Sequence, residues 1–226
     1  MEEANPAKTP AEVKQISIKE KDVLTPDRTT YFRAATGSLL YLSRCARPDL
    51  ALIPVMILSR SMSSPGKRAM MRLKRVLRYL RGTTNLNITY KNGIDDDNDR
   101  LVGYVDADHA GDPDEGYSTT GYVFYFAGGP LYWKSQRQTI VTLSTVEAEY
   151  VALSKGGQEC VYLRDLMSSA GFERAQATTM HEDNSGALKL ANTDHYHPRT
   201  KHWCQVSLHQ APRQGERSCC GENIYG

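Results

Sequence analysis

Apolar residues recur at helical spacing in the first third of the chain, after a polar N-terminal stretch. Residues 1–28 have no periodic apolar face and are predicted to be a flexible leader. Residues 31–44, 50–62 and 67–82 each carry apolar side chains three and four positions apart, which is typical of amphipathic helices. Residues 29–92 are therefore predicted to form a small helical segment.

The hydrophobic period changes to that of β-strands after residues 93–100, which are predicted to be an acidic linker. Runs with alternating, β-branched or aromatic residues predict strands. They cover residues 101–107, 118–126, 130–136 and 138–143. A glycine-rich turn at residues 128–130 is expected to join the second run to the third as a hairpin.

Helical spacing returns in the last part of the chain. Residues 144–171 predict one or two helices, with Gly156 and Gly157 as the expected break and Gly171 as the stop. A short strand at residues 177–185 and a helix at residues 185–192 follow. This order of elements predicts a mixed α/β (α+β) domain, in which helices cover a sheet.

Composition limits the class of protein. The 226 residues include 28 Lys and Arg, 26 Asp and Glu and 40% hydrophobic residues, which excludes a disordered, collagen-like or coiled-coil chain. No apolar run approaches the roughly 18 to 20 residues that span a membrane, and the N-terminus does not resemble a signal peptide. We therefore expect a soluble, intracellular protein with no membrane partner. The five cysteines lack the paired spacing of a zinc site or a disulfide framework.

The predicted helix at residues 67–82 is strongly basic. It carries seven cations and no anion: Lys67, Arg68, Arg72, Lys74, Arg75, Arg78 and Arg81. One interpretation is a solvated helix face, but such faces usually mix both signs, and unopposed cations repel one another. A polyanion relieves that repulsion, because Lys and Arg neutralise phosphates without reading sequence. The helix is therefore predicted to contact a nucleic-acid backbone.

Three carboxylates are placed where a sheet would bring them together. Asp106 follows the apolar run of the first predicted strand, and Asp183 follows the short strand before the last helix. Glu149 lies on the apolar face of its predicted helix, whereas Glu147 does not. Converging carboxylates stay ionised together only if a cation joins them, and Mg²⁺ prefers such oxygen ligands. The alternative interpretation is that these residues are helix caps and surface acids.

Sequence motifs across residues 101–202 occur in a recognisable order: YVDADHAGD, STTGYVF, WKSQRQ, STVEAEYVAL, EDNSGALKLA and HPRTKH. In this order they resemble the ribonuclease H (RNase H) domain in the Pol polyproteins of copia-type LTR retrotransposons. Upstream, YFRAATGSLLYLSRCARPDLA and KRVLRYLRGT resemble the segment that ends the reverse transcriptase in such polyproteins. The resemblance places the polymerase palm upstream of this segment, so no polymerase activity is expected.

The resemblance implies an RNase H-like mixed sheet flanked by helices, preceded by a small thumb- or connection-like helical segment. It implies that Asp106, Glu149 and Asp183 bind two Mg²⁺ ions, with Mn²⁺ as the alternative, in a nuclease that hydrolyses the RNA strand of RNA/DNA hybrids. His197 is expected to shuttle protons near that site. The implied partners are nucleic acid and the rest of the Pol polyprotein, and the implied location is the cytoplasm, with retroelement particles or the nucleus as alternatives.

The chain departs from the family pattern after His202. The family continues with Ile-Asp and a final helix that carries a fourth carboxylate, whereas this chain continues with Trp203 and Cys204. Residues 203–226 have no helical stripe, and we interpret them as an aberrant tail produced by a frameshift, or by an error in the gene prediction. Loss of the fourth carboxylate predicts impaired hydrolysis. The alternatives are a catalytically inactive nucleic-acid-binding domain and a non-functional genomic remnant of a retrotransposon.

Overall fold

The computed structural model describes residues 4–11, 22–51, 54–91, 100–112, 114–172 and 177–192. In chain order its elements are α1 (Pro26–Cys45), α2 (Pro48–Ala51), α3 (Pro54–Arg60), α4 (Lys67–Gly82), β1 (Val102–Asp108), β2 (Thr119–Phe126), β3 (Gly129–Arg137), α5 (Thr145–Ser169), β4 (Thr179–His181) and α6 (Ser185–Ala191). Residues 93–99 of the predicted linker, His197 and the tail predicted at residues 203–226 lie outside the described residues.

Helices α1 to α4 pack around an apolar core of their own. Phe32, Leu50 and Leu73 are each 0% exposed in this core, so the apolar faces predicted from spacing are the ones that the structure buries. α1 begins at Pro26, which lies inside the range predicted for the leader. Proline suits the first turn of a helix, because the N–H that it lacks would have no partner within the helix there. The apolar segment predicted at residues 50–62 forms α2 and α3, and each of these short helices begins with a proline.

The second part of the chain is built on a four-stranded mixed sheet with the order β3-β2-β1-β4. β2 pairs antiparallel with both β1 and β3, and β4 pairs parallel with β1. α5 packs across β1 and β2, and Tyr122, Phe124, Ala148 and Ala152 are buried between them. A mixed sheet flanked by helices agrees with the predicted α/β class and is consistent with an RNase H-like fold. β4 is shorter than the strand predicted at residues 177–185.

The strand predicted at residues 138–143 is wrong, because the structure places these residues in the connection between β3 and α5. Hydrogen bonds from Gln138 to Ser118, which precedes β2, and to Ala148 on α5 take the place of pairing with a neighbouring strand. The Gln138 backbone N–H donates to Ser118 O over 2.8 Å, and its side-chain amide donates to Ala148 O over 2.9 Å. The β-branched composition of this run indicated a strand, but these contacts across the fold decided its conformation.

The helix break predicted at Gly156 and Gly157 is also wrong, because α5 runs without interruption from Thr145 to Ser169. Gly156 is there for packing: a Cβ at this position would lie 2.7 Å from Val105 Cγ2. The glycine lets the helix backbone approach β1 closely, which offsets its cost of about 1 kcal/mol in a helix interior. The predicted stop at Gly171 is confirmed, since Gly171 follows the helix end with a positive φ of 84°.

Specific contacts join the helical segment to the sheet. The Trp133 indole N–H on β3 donates to Ser43 O on α1 over 2.7 Å. Arg60 at the end of α3 forms an ion pair with Asp112 in the loop after β1, at 2.5 Å. The segment therefore contacts β3, an edge strand of the sheet, and the loop after β1. In the part of the chain that the structure describes, no helix is long and apolar enough to cross a membrane.

Candidate metal centre

Asp106 and Asp183 lie just beyond the end of the hydrogen-bonded ladder between the parallel strands β1 and β4. The β1–β4 ladder ends at the pair Tyr104 and His181, and Asp183 follows two residues later. Asp106 was predicted at a strand end, but it lies within β1, opposite Gly121 of β2. Because β4 stops short of it, Asp106 is exposed at the same edge of the sheet as Asp183.

Glu149 approaches the same point from α5. The Ser144 side chain caps the helix by accepting the Glu147 N–H over 3.2 Å, while the Glu147 carboxylate accepts the Leu143 N–H over 2.7 Å. This places Glu149 one turn into the helix on the face that packs on the sheet, where it is 4% exposed. One ligand oxygen from each of Asp106, Glu149 and Asp183 lies within 4.8 Å of the others.

The electrostatics of this cluster are dominated by Glu149. Burial, and then the negative charges of Glu182, Asp106 and Asp183, raise the pKa of the Glu149 carboxyl to about 8. A hydrogen bond with the Ala107 backbone opposes this shift. Without a positive partner, Glu149 is therefore expected to hold a proton at neutral pH.

Sequence reasoning missed Glu182, a fourth carboxylate next to this cluster. It is 9% exposed, and burial, together with the charges of Asp183 and Asp106, raises the pKa of its carboxyl against a backbone hydrogen bond with Asn184. A signal was present in the alternation of the strand, because Glu182 follows apolar Met180 by two positions and so shares its buried face.

The donor set fits a hard divalent cation. Asp106 and Asp183 present exposed carboxylates, while Glu149 Oε2 is buried and finds no hydrogen-bond partner in the described ranges. A buried anionic oxygen without a donor is costly, and a cation relieves that cost. Mg²⁺ takes oxygen ligands at about 2.0 to 2.1 Å, so ligand atoms this close need only small side-chain adjustments to bind one ion.

Part of the positive charge of the basic helix α4 meets the N-terminal residues. Arg75 Nε and Arg81 Nη1 donate to the carbonyl oxygens of Thr9 and Ala4, over 3.2 and 2.6 Å. Arg78 donates to Asn5 O in the same way. Residues 4–11, predicted as part of a flexible leader, thus lie against α4.

The other cations of α4 differ in their exposure. Lys67 pairs with Asp22 at 3.1 Å, with both side chains largely exposed. Arg68 and Lys74 are exposed, and Arg72 is half-buried. A cavity of about 510 Å³ beside α4 has apolar Met71 and Val76 among its lining residues and Arg68, Arg72 and Lys74 among its cations. The contact of α4 with a nucleic-acid backbone stays a prediction, and Arg68 and Lys74 are exposed cations on that helix.

Comparison with known proteins identifies the family. No family model matches the chain, and no solved structure matches it significantly. The retrovirus-related Pol polyprotein from transposon TNT 1-94 of Nicotiana tabacum is 41% identical over 171 residues, which are 76% of this chain and 12% of the relative. The Pol polyprotein from transposon RE1 of Arabidopsis thaliana is 37% identical over 200 residues, 88% of this chain and 13% of the relative.

This chain covers a larger share of one shorter relative. Secreted RxLR effector protein 161 of Plasmopara viticola is 42% identical over 132 residues, which are 58% of this chain and 90% of that protein. The Pol polyproteins match most of this chain, although it spans only 12 to 13% of their length. The chain belongs to the Pol polyprotein family of copia-type LTR retrotransposons.

Proposed function

We propose that the domain predicted at residues 101–202 is a metal-dependent nuclease that hydrolyses the RNA strand of RNA/DNA hybrids, impaired by the loss of the fourth family carboxylate. The observation that carries the proposal is the approach of ligand oxygens from Asp106, Glu149 and Asp183 to within 4.8 Å of one another. The RNase H-like fold and the Pol family support the proposal, because the resemblance to them implies a nuclease with carboxylates at these three positions.

The residues have separate roles in the proposed reaction. Glu149 is buried near the capped start of α5, whereas Asp106 and Asp183 are exposed and are the carboxylates that a substrate can reach. Two divalent cations, when bound, activate water and stabilise the leaving oxygen of a phosphodiester. The protein residues orient that chemistry, and the buried Glu149 oxygen contributes negative charge where water screens it little.

Cleavage of a labelled RNA/DNA hybrid by the purified full chain tests this proposal. We expect slow, Mg²⁺-dependent cleavage of the RNA strand, none of a DNA duplex of the same sequence, and none after EDTA is added. Asp106→Asn is expected to abolish cleavage because it removes the charge of one ligand. Cleavage that persists in the Asp106→Asn variant would come from another nuclease and contradict the proposal, as would a wild-type chain that does not cleave.

A second candidate function is nucleic-acid binding without hydrolysis, through α4. The observation that favours it is the helix itself, which carries cations and no anion and leaves Arg68 and Lys74 exposed. A basic stripe of this kind neutralises phosphates of either strand, so the expected binding is independent of sequence.

Binding through α4 predicts a specific salt dependence. We expect the Arg68→Gln, Lys74→Gln double variant to reduce the slope of log K against log salt by about 2, because each cation releases about one counterion from the duplex. Fluorescence anisotropy of a labelled hybrid between 50 and 200 mM salt measures that slope. Arg28→Gln, an exposed cation on α1, is the matched control. Equal slopes in the double variant and the wild type would place the contact elsewhere.

A further inference from the structure

We propose that residues 4–11 compete with nucleic acid for a stripe of three arginines on α4. This arginine stripe consists of Arg75, Arg78 and Arg81. The three residues are three positions apart, so their side chains lie along one side of the helix. The inference deepens nucleic-acid binding through α4, the second candidate function, and rests on it. It assigns to that function a further contact surface and a competitor within the same chain.

The segment is held by its oxygen atoms, which accept hydrogen bonds from the arginine stripe. Arg75 Nε donates to Thr9 O over 3.2 Å, and Arg75 Nη2 donates to Thr9 Oγ1 over 2.9 Å. Arg78 Nε donates to Asn5 O, and the third arginine of the stripe donates to Ala4 O over 2.6 Å. Phosphate oxygens are acceptors of the same guanidinium donors. A phosphate that takes these N–H groups therefore displaces the segment.

Packing at the end of α4 holds the middle of the segment. The Ala7 N–H donates to Arg78 O over 3.3 Å, and a Cβ added to Gly82 would lie 2.9 Å from Pro6 Cβ. Carbon atoms that are not bonded to each other normally stay about 3.5 to 4.0 Å apart, so only glycine lets the segment lie this close. Pro10, further along the segment, lines the cavity of about 510 Å³ beside α4. The segment thus docks on the helix over several residues.

The charge of the segment favours its displacement by a polyanion. Residues 4–11 contain one cation, Lys8, and no anion, so they bring no negative charge to the arginine stripe. Phosphate carries a full negative charge, whereas a carbonyl group is a dipole, so phosphate gains more from the same donors. The docked segment still weakens binding, because the apparent affinity of the chain is reduced to the fraction in which the stripe is open.

Gly82→Gln tests the competition in the full chain, because its Cβ meets Pro6 while every cation of α4 is kept. Gly37→Gln, within α1, is the matched control, because it makes the same change in a helix and no atom in the described part of the chain lies within 4 Å of a Cβ there. We expect Gly82→Gln to bind a labelled RNA/DNA hybrid about 5- to 30-fold more tightly than the wild type, and Gly37→Gln to bind like the wild type.

Fluorescence anisotropy between 50 and 200 mM salt measures these affinities. We expect the slope of log K against log salt to be the same in Gly82→Gln and the wild type, because the hybrid contacts the same cations in both once the segment has left. A steeper slope in Gly82→Gln would mean that the hybrid binds the wild type with the segment still docked, which contradicts competition.

Trypsin cleavage after Lys8 measures release of the segment without relying on affinity for nucleic acid. We expect Gly82→Gln to release the peptide of residues 1–8, followed by mass spectrometry, about 5- to 30-fold faster than Gly37→Gln, since a protease cuts the open population. An excess of hybrid is expected to speed the same cut in the wild type. This last measurement tests the proposal even where Gly82→Gln folds poorly.

The outcomes separate the inference from nucleic-acid binding itself. Faster cleavage in Gly82→Gln with an unchanged affinity for the hybrid means that segment and hybrid bind independently, and the inference fails alone. Equal cleavage in Gly82→Gln and Gly37→Gln overturns it as well, because the segment is then not docked at Gly82. So does slower cleavage of the wild type in the presence of hybrid, which makes the segment part of the interface. If neither the wild type nor Gly82→Gln binds the hybrid, the candidate function and the inference both fail.

Discussion

Glu149→Gln is expected to stabilise the metal-free chain at pH 9 by roughly 3 to 5 kcal/mol relative to the wild type, at 1.36 kcal/mol for each pKa unit. The pKa of Glu149 rises from 4.5 to about 8 on folding. Because the folded pKa is raised, the wild-type chain has its full stability below pH 4.5, where Glu149 is protonated in both states. That stability is lost as the pH rises from 4.5 through about 8, above which the folded chain must hold a buried negative charge. Gln removes that charge, and its amide is placed to donate to the neighbouring Glu182 carboxylate.

Thermal unfolding in EDTA at pH 5, 7 and 9 measures this effect. The midpoint of Glu149→Gln should exceed that of the wild type by roughly 6 °C or more at pH 9, using about 2 to 4 °C per kcal/mol for a chain of this size, and by little at pH 5. Mg²⁺ should raise the wild-type midpoint at pH 9 more than that of the variant, because the cation needs the carboxylate. A wild-type midpoint equal to that of the variant at pH 9 would contradict the raised pKa.

Asp112→Ala is expected to lower the free energy of unfolding by about 3 to 5 kcal/mol, the cost of removing one partner from a buried ion pair. The Asp112 side chain is 1% exposed and lies 2.5 Å from Arg60 Nη2 and 3.7 Å from Arg137 Nη1. Its second oxygen accepts the Asp114 N–H over 3.1 Å, which shapes the loop after β1. Alanine leaves the Arg60 guanidinium half-buried beside an empty site.

Urea unfolding measures that loss, with Glu115→Ala as the matched control. Glu115 lies in the same loop and also pairs with Arg137, but its side chain is 47% exposed. Removal of an exposed pair typically costs less than about 1 kcal/mol. A similar loss in both variants would mean that burial of Asp112 adds nothing. Because Arg60 belongs to α3, we also expect the helical segment and the sheet to unfold in one transition in the wild type.

The local sequence pattern was sufficient to predict an element where one face of that helix or strand is buried along its length. The spacing around Leu73 predicted α4, and the alternation around Tyr122 predicted β2, because each burial pattern follows directly from its backbone period. The same reasoning placed Glu149 on the packed face of α5 and excluded Glu147. Asp106 and Asp183 were found because Asp106 follows the apolar run of β1 and Asp183 follows β4.

Pattern failed where contacts distant in sequence decide the conformation. Residues 138–143 have strand composition, but Gln138 bonds to Ser118 and Ala148 in place of a neighbouring strand. Gly156 indicated a helix break, but in the structure its lack of a side chain lets α5 pack closely against Val105. Neither contact partner is visible from local spacing.

The sequence by itself determined the helical segment, the mixed α/β class and the family, since all of these follow from local periodicity or from motifs. It also named Asp106, Glu149 and Asp183, whose role as metal ligands stays a prediction. Only the tertiary structure showed that Glu182, beside Asp183, is buried and that residues 4–11 meet the arginines of α4. The physical reason is that burial, charge proximity and hydrogen bonding between distant residues depend on how β1, β4 and α5 pack. A carboxylate next to a strand is visible in the sequence, but its missing hydrogen-bond donor appears only in the folded chain.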